Sequence, residues 1–462
     1  MAVRLDLGDI QGLFARGYRE HRYARFTIFT IGEAPAGRAL LEWLLPHITT
    51  AARFSGDVAL QVAFSASGLR QLGLPDHVVT GFAAEFRQGM TNPNRSRFLG
   101  DTEESDPRGW AWGGPDGPPA DGLLMLYATD PGLLERWQAE VRQQLEKSGI
   151  TGATELPARE LGDTEPFGFH DGISQPIIAG LPKAAQAERT VPAGEFILGY
   201  PNARGQLADR PLLPASEDPR RLLLPDPTGS GAVDFGRNGT YLVFRQLEQD
   251  VEGFWQFVDA ATRRADGSQD SRDRAALAAK MVGRWPSGAP LVKVPDHDAP
   301  ALADDNDFAY RDDPGGLACP IGAHIRRANP RDSLGPEPAA SLDASDRHRL
   351  LRRGRSYGPA GDGTRSAGSE NGLYFICLAA DLARQFEFVQ HTWLNNATFN
   401  GLYDDADPLT GKHHPAGATF TVPARPVRHR YRGLPQFVRT RGGVYFFLPG
   451  VSAVRYLAQL GR

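Results

Sequence analysis

Apolar and polar residues along this chain follow two periods, and the switches between them predict its elements. Alternation with period two, rich in β-branched and aromatic residues, marks strands over 23–31, 58–64, 123–128, 240–247, 373–379 and 444–448. Helical spacing covers 38–45, 77–86, 132–147, 250–263, 382–395 and 452–460. Pro131 at the start and Gly149 just past the end frame the helix over 132–147. In the helix over 250–263, Val251, Phe254, Trp255 and Val258 share one face.

The pattern repeats once. Leu126-Tyr127-Ala128-Thr129-Asp130 leads a strand into a helix, and Cys377-Leu378-Ala379-Ala380-Asp381 does the same in the second half. The two halves share an order of strands and helices, which predicts duplicated α+β units. Between them, 193–236 is rich in Pro, Gly, Arg and Asp with little periodicity and reads as a connector. The expected organisation is therefore a domain over 1–192, a connector over 193–236 and a second domain over 237–462. No GxGxxG follows a strand into a helix, which argues against a doubly wound dinucleotide fold.

Composition narrows the class. A chain of 462 residues, 41% hydrophobic and 23% charged, is an ordinary globular protein with room for two or three domains. A net charge of −4 gives no reason to expect nucleic acid or a membrane surface as partner. Cys319 and Cys377 are the only cysteines, outside any CxxC pattern. That argues against a disulfide scaffold, a thiolate zinc site and covalently attached c-type haem. The opening residues carry no apolar leader or twin arginine, and no apolar run nears the roughly 20 residues of a membrane span. The expected location is cytoplasmic, with encapsulation, non-classical export and a homodimer left open.

Three segments carry candidate chemistry. In Pro166-Phe167-Gly168-Phe169-His170-Asp171-Gly172-Ile173-Ser174-Gln175-Pro176, two glycines flank one acid on a segment closed by proline, which presents a single carboxylate. His170 and Asp171 are adjacent on an extended segment, so they point in opposite directions and only one faces a common centre. In Cys319-Pro320-Ile321-Gly322-Ala323-His324-Ile325-Arg326-Arg327, small residues leave space beside the His324 imidazole, and arginines follow that can pair with carboxylates. Five arginines lie between Arg347 and Arg355. Leu350 and Leu351 point Arg352 inward, whereas Arg349, Arg353 and Arg355 are expected on a solvated loop. His413 and His414 are adjacent and lack the spacing of a HExxH metal site.

In order, these segments resemble the distal-acid, proximal-histidine and distal-arginine segments of the dye-decolorising peroxidases, in their longer-loop subgroup. Gly168 to Gly172 is similar to that family's GxxDG motif. Asp9-Ile10-Gln11-Gly12-Leu13, Gly283-Arg284-Trp285-Pro286, Asn371-Gly372-Leu373-Tyr374-Phe375 and Phe386-Glu387-Phe388-Val389-Gln390 extend the likeness over nearly the whole chain.

The resemblance implies two ferredoxin-like domains, with one non-covalent haem b per chain held mainly by the second. It implies a peroxidase that reduces hydrogen peroxide and oxidises dyes, phenolics or other one-electron donors through an oxyferryl intermediate. Asp171 would be the distal acid-base, Arg352 the distal arginine and His324 the axial iron ligand. Arg326 would meet a haem propionate, Leu373 and Phe375 would line the distal face, and Gly172 and Ile173 would lie beside the cofactor. Glu387, or else Asp307, would accept the second ring N–H of His324. Trp393, Tyr357, Trp285 and Tyr374 would be candidates for carrying electrons to large donors. Haem carriage or storage, and a peroxide-dependent haem oxygenase, are the alternatives on the same frame.

Overall fold

The computed structural model describes residues 4–461 apart from 53, 55, 151, 188 and 360–369. In the first half, β1 (Tyr23–Phe29), β2 (Val58–Phe64), β3 (Gly122–Ala128) and β4 (Thr154–Pro157) lie in the order β4-β1-β3-β2. Three short strands, β5 (Leu212–Pro214), β6 (Leu224–Pro225) and β7 (Ala232–Asp234), form a separate small sheet. The second half contributes β8 (Thr240–Gln249), β9 (Leu351–Arg352), β10 (Arg355–Tyr357), β11 (Gly372–Ala379) and β14 (Val438–Leu448), in the order β10-β11-β8-β14 with β9 also on β11. β12 (Ala418–Val422) and β13 (His429–Leu434) make a hairpin.

Counted within its own half, each sheet reads 4-1-3-2, with helices after the first and third strands. That is the ferredoxin-like β-α-β-β-α-β arrangement twice over. The two echoing segments end β3 and β11, the third strand of each unit. The helix Pro131–Lys147 follows the first, capped by Asp130, whose carboxylate accepts from Leu133 N at 3.0 Å. It buries Leu134, Gln138, Val141 and Leu145, one stripe at helical spacing. After β11 comes π-helical backbone, Ala383–Glu387 and Val389–Leu394. Such widened turns are common where a helix borders a functional site.

Two expectations need correction. The helix predicted over 77–86 breaks into Asp76–Val79 and Ala84–Gln88. At Gly81 a Cβ would stand 2.9 Å from Pro211 Cα, so another chain segment crosses where the helix would continue. The connector over 193–236 is not merely irregular: it folds around Arg210, which pairs with Asp226 and with Asp234.

The two units share one nine-stranded sheet, joined where β14 pairs with β2 at Phe447 and Phe64. Gln11, only 1% exposed, sutures this seam. Its Nε2 donates to Val62 O at 2.8 Å and to Pro449 O at 2.9 Å, and its Oε1 accepts from Val62 N at 2.9 Å. Asp9 completes the join by accepting from Asn238 Nδ2 and from Ser452 N. Among the described residues no helix is long and apolar enough to cross a membrane.

Gln11→Ala leaves buried backbone groups of both units unpaired and is expected to cost about 3 kcal/mol. A shifted urea midpoint at unchanged slope would show it; an unshifted midpoint would mean that the seam does not depend on this side chain.

Candidate active site

Alternate residues of the second unit's strands build the floor of a cavity of about 660 Å³. Arg245, Leu247 and Gln249 from β8, with Leu373 and Phe375 from β11, border it. Tyr241 and Val243, earlier on the same face of β8, pack instead into the apolar core. Phe386, Val389 and Leu394 of the π-helical stretch close one side. His324, at the start of the helix His324–Ala328, and the segment from Phe169 to Ser174 close others.

A buried acid shapes the aspartate segment. Glu165 accepts from Phe167 N at 3.0 Å, Phe169 N at 2.9 Å and Gln249 Nε2 at 2.8 Å. Burial raises its carboxyl, and those hydrogen bonds pull the other way. Phe167 and Phe169 are sunk into the core beside Phe254, and Trp255 Nε1 donates to Phe167 O. The turn then requires glycine at φ +99° and +82°, the values of Gly168 and Gly172. Asp171 emerges half-exposed, its N–H on Asp163 O and its Oδ1 accepting from Gly172 N at 2.6 Å.

Arg352 meets it. Its Nη1 lies 3.7 Å from Asp171 Oδ1, its Nη2 donates to Ser174 O at 3.2 Å, and its backbone N–H donates to Gln175 Oε1 at 3.1 Å. The Ser-Gln pair that follows the acid therefore positions the arginine. His170 borders the cavity too, but its ring is engaged elsewhere, Nδ1 on Ser287 O at 3.1 Å and Nε2 3.7 Å from Asp304.

The His324 ring is fixed from behind. Its Nδ1 lies 3.0 and 3.1 Å from the two carboxylate oxygens of Asp407. Asp407 Oδ1 also accepts from Leu409 N and from Thr410 N. Burial alone would raise the Asp407 carboxyl, but His324, the Arg327 guanidinium and the Thr410 N–H overcome it and hold it down to about 2. Arg327, fully buried, donates to the carbonyls of Trp393, Leu394, Asn396 and Asp405 and locks this helix to its neighbour. With Nδ1 committed to Asp407, Nε2 is the ring nitrogen left for the cavity.

Among the described residues, six arginines border the same space; Arg245 pairs with Asp101 and Arg439 with Glu104, which leaves Arg284, Arg331, Arg349 and Arg352. Burial, helped by the charge of Arg331, pushes Arg284 down to about 10, and burial likewise brings Arg349 to about 10. Arg284 and Arg331 bond to carbonyl oxygens and to Asn306 Oδ1. The cavity thus combines the apolar side chains of Leu247, Leu373 and Phe375 on its floor, one backed imidazole and a positive rim. That donor set fits a flat apolar group bearing carboxylates, with a metal that takes one nitrogen, as in haem.

Of the residues singled out from sequence, Asp171, Gly172, Ile173, His324, Arg352, Leu373 and Phe375 all border this cavity. Arg326 does not: it is buried beneath, bonded to Asp313 and Cys319 O, with its guanidinium over the Tyr310 ring. Arg331 and Arg349 occupy the rim instead. Glu387 is not the partner of His324; it pairs with Arg95 and Tyr445. Asp307 is not the partner either, since Asp407 holds that place. The loop expected to be solvated is largely buried. Arg355 donates to the carbonyls of Gly17 and Tyr18, and Arg353 to those of Leu13 and Phe14. Trp393, Tyr357, Trp285 and Tyr374 are all core residues, at most 5% exposed. His413 has both ring nitrogens on carbonyl oxygens, and among the described residues no group of three or more His, Cys, Asp or Glu is placed to hold a metal ion.

The family model "Dyp-type peroxidase, C-terminal" matches residues 230–426. A dye-decolorizing peroxidase of Exidia glandulosa is 31% identical over 97% of this chain and 86% of its own. Dye-decolorizing peroxidase AauDyP1 of Auricularia auricula-judae is 30% identical over 98% of this chain and 87% of its own. The structure of an ancestral D-type dye decolorizing peroxidase superimposes with a TM-score of 0.78 at 26% identity, covering 98% of this chain and 99% of that one.

Asp407 provides a test of the proximal geometry. Its folded pKa of about 2 lies below the ordinary 3.8, so its contribution is complete above pH 3.8 and disappears as pH falls toward 2. Over that window the wild-type protein should lose about 2 kcal/mol more than Asp407→Asn does. Urea midpoints measured against pH would reveal it, and parallel curves would contradict the pairing.

Proposed function

We propose that this chain, which belongs to the Dyp-type peroxidase family, holds one non-covalent haem b in the cavity and uses it to reduce hydrogen peroxide at the expense of dyes, phenolics or other one-electron donors. The observation that carries the reading is the meeting of a carboxylate-backed imidazole, His324, with the Asp171–Arg352 pair around one cavity. Haem, when bound, supplies the redox-active iron that stores the oxidising equivalents of peroxide.

The chain's own residues do the rest. His324 Nε2 is the ligand, and the Asp407 carboxylate bonded to Nδ1 makes the ring a stronger donor. The propionates have Arg331 and Arg349 to meet, and the cost of burying those cations is offset when anions arrive. Leu373 and Phe375 keep water from the reacting face.

Asp171 is the proton carrier. Its Oδ2 takes the proton from one oxygen of hydrogen peroxide and returns it to the other, which then departs as water. Oδ1 stays bonded to Gly172 N, so the carboxylate is held in place during the transfer. Arg352 steadies the negative charge that develops on the departing oxygen, from a position fixed by Ser174 and Gln175. His170 takes no part, since its ring is tied to Ser287 O.

Purified protein expressed with ample haem is expected to show a Soret band that shifts on adding one equivalent of peroxide. Asp171→Asn should keep the band and slow the peroxide step by about a hundredfold or more, the usual contribution of a placed acid-base. An unchanged rate in that variant would remove Asp171 from the mechanism, and protein that takes up no haem would overturn the reading altogether.

A further inference from the structure

One layer behind the cavity wall lies a buried tyrosine–carboxylate pair that the peroxide step does not use. Tyr445 on β14 is 1% exposed, and its hydroxyl donates to Glu387 Oε1 at 2.8 Å. The other oxygen of Glu387 accepts from Arg95 Nη1 at 2.7 Å, and Arg95 also holds Glu85 at 3.1 Å. The Tyr445 ring meets Phe386 edge to face at 6.1 Å, and Phe386 lies 6.1 Å from Phe375. Both phenylalanines border the cavity.

The pairing matters because of what it permits. A buried phenol that loses an electron alone becomes a cation in a medium that solvates charge poorly. If the proton moves to a carboxylate in the same event, the phenol product is neutral and no charge is stranded on it. Among the described buried tyrosines, Tyr445 is the one whose hydroxyl bonds to a carboxylate. The Tyr127 hydroxyl has no partner, Tyr241 accepts from Ala83 N, and Tyr200 donates to Asn238. Burial raises the Glu387 carboxyl, with Tyr445 and Arg95 opposing, so it is a better base than an exposed glutamate.

Resting on the peroxidase reading above, we infer that Tyr445 and Glu387 form a one-electron, one-proton relay in the wall of the haem cavity. Tyr445 gives one electron to the peroxide-oxidised haem and its hydroxyl proton to Glu387 Oε1. This leaves a neutral tyrosyl radical beside a neutral carboxylic acid. Arg95 keeps Glu85 as its counterion while Glu387 is protonated. An external donor then returns the electron and the proton goes back to the phenol, so the pair ends as it began. The relay holds one oxidising equivalent a step away from the cofactor.

The test uses the holoenzyme, mixed with one equivalent of hydrogen peroxide without donor and frozen within milliseconds for electron paramagnetic resonance. A neutral tyrosyl signal is expected, narrowed when the protein is made with ring-deuterated tyrosine. It should be lost in Tyr445→Phe and in Glu387→Gln, which keeps an acceptor oxygen but removes the base, and persist in Tyr357→Phe. A signal that survives both of the first two variants, or follows Tyr357 instead, overturns the relay. So does a wild-type protein whose absorption spectrum responds to peroxide but which shows no tyrosyl signal; the peroxidase reading then stands alone. If the absorption spectrum does not respond, both fall together. Should Tyr445→Phe fail to hold haem, Glu387→Gln decides the matter.

Discussion

Four of the six arginines that border the cavity, Arg284, Arg331, Arg349 and Arg352, meet too few carboxylates to neutralise them. Arg349 and Arg352 reach Asp346 and Asp171 only at 3.7 Å, and Arg284 and Arg331 rest on carbonyl and amide oxygens. Desolvated cations are costly unless oxygens surround them. Much of the irregular chain in the second unit therefore exists to provide those oxygens. Residues 284–310 wrap Arg284 and Arg331, and the Ser174–Gln175 turn serves Arg352. The loops are long because they solvate charge from within, and the shape of the cavity follows from where they must run.

The same logic governs the opposite pair. His324 and Asp407 are 83 residues apart in sequence, and what brings them together is Arg327, whose guanidinium collects four carbonyls from the chain between Trp393 and Asp405. A buried charge acts here as an anchor point around which the backbone is arranged. Glu165 works in the same way on the other side, gathering two N–H groups so that Phe167 and Phe169 sink and Asp171 stands free.

Local signals were readable in the sequence; long-range pairing was not. The strand over 58–64 matches β2 residue for residue, and the Pro131 and Gly149 frame holds, because both depend on neighbours in sequence. The acid, the imidazole and the inward arginine were singled out because glycine, small residues and paired leucines mark their segments and the three segments follow one another in the family's order. Asp407 carried no such flag within Asp404-Asp405-Ala406-Asp407-Pro408. Glu387 looked eligible by its position in the family resemblance, yet it is consumed by Arg95 and Tyr445. Arg326 was misplaced for a geometric reason: on a helix of five residues it lies two positions from His324, on another face. Arg353 and Arg355 read as solvated because a run of charge does, until carbonyls elsewhere in the chain are known to wait for them.

The joined sheet has a further meaning. Two separate sheets, one from each unit, would present four strand edges, each a row of unpaired backbone groups able to capture another chain. Uniting β14 with β2 conceals two of them. The two that remain are brief: β4 has four residues, and β10 has three. The joined sheet thus leaves little template for cross-β growth, in a protein whose loops keep much of its backbone outside regular pairing.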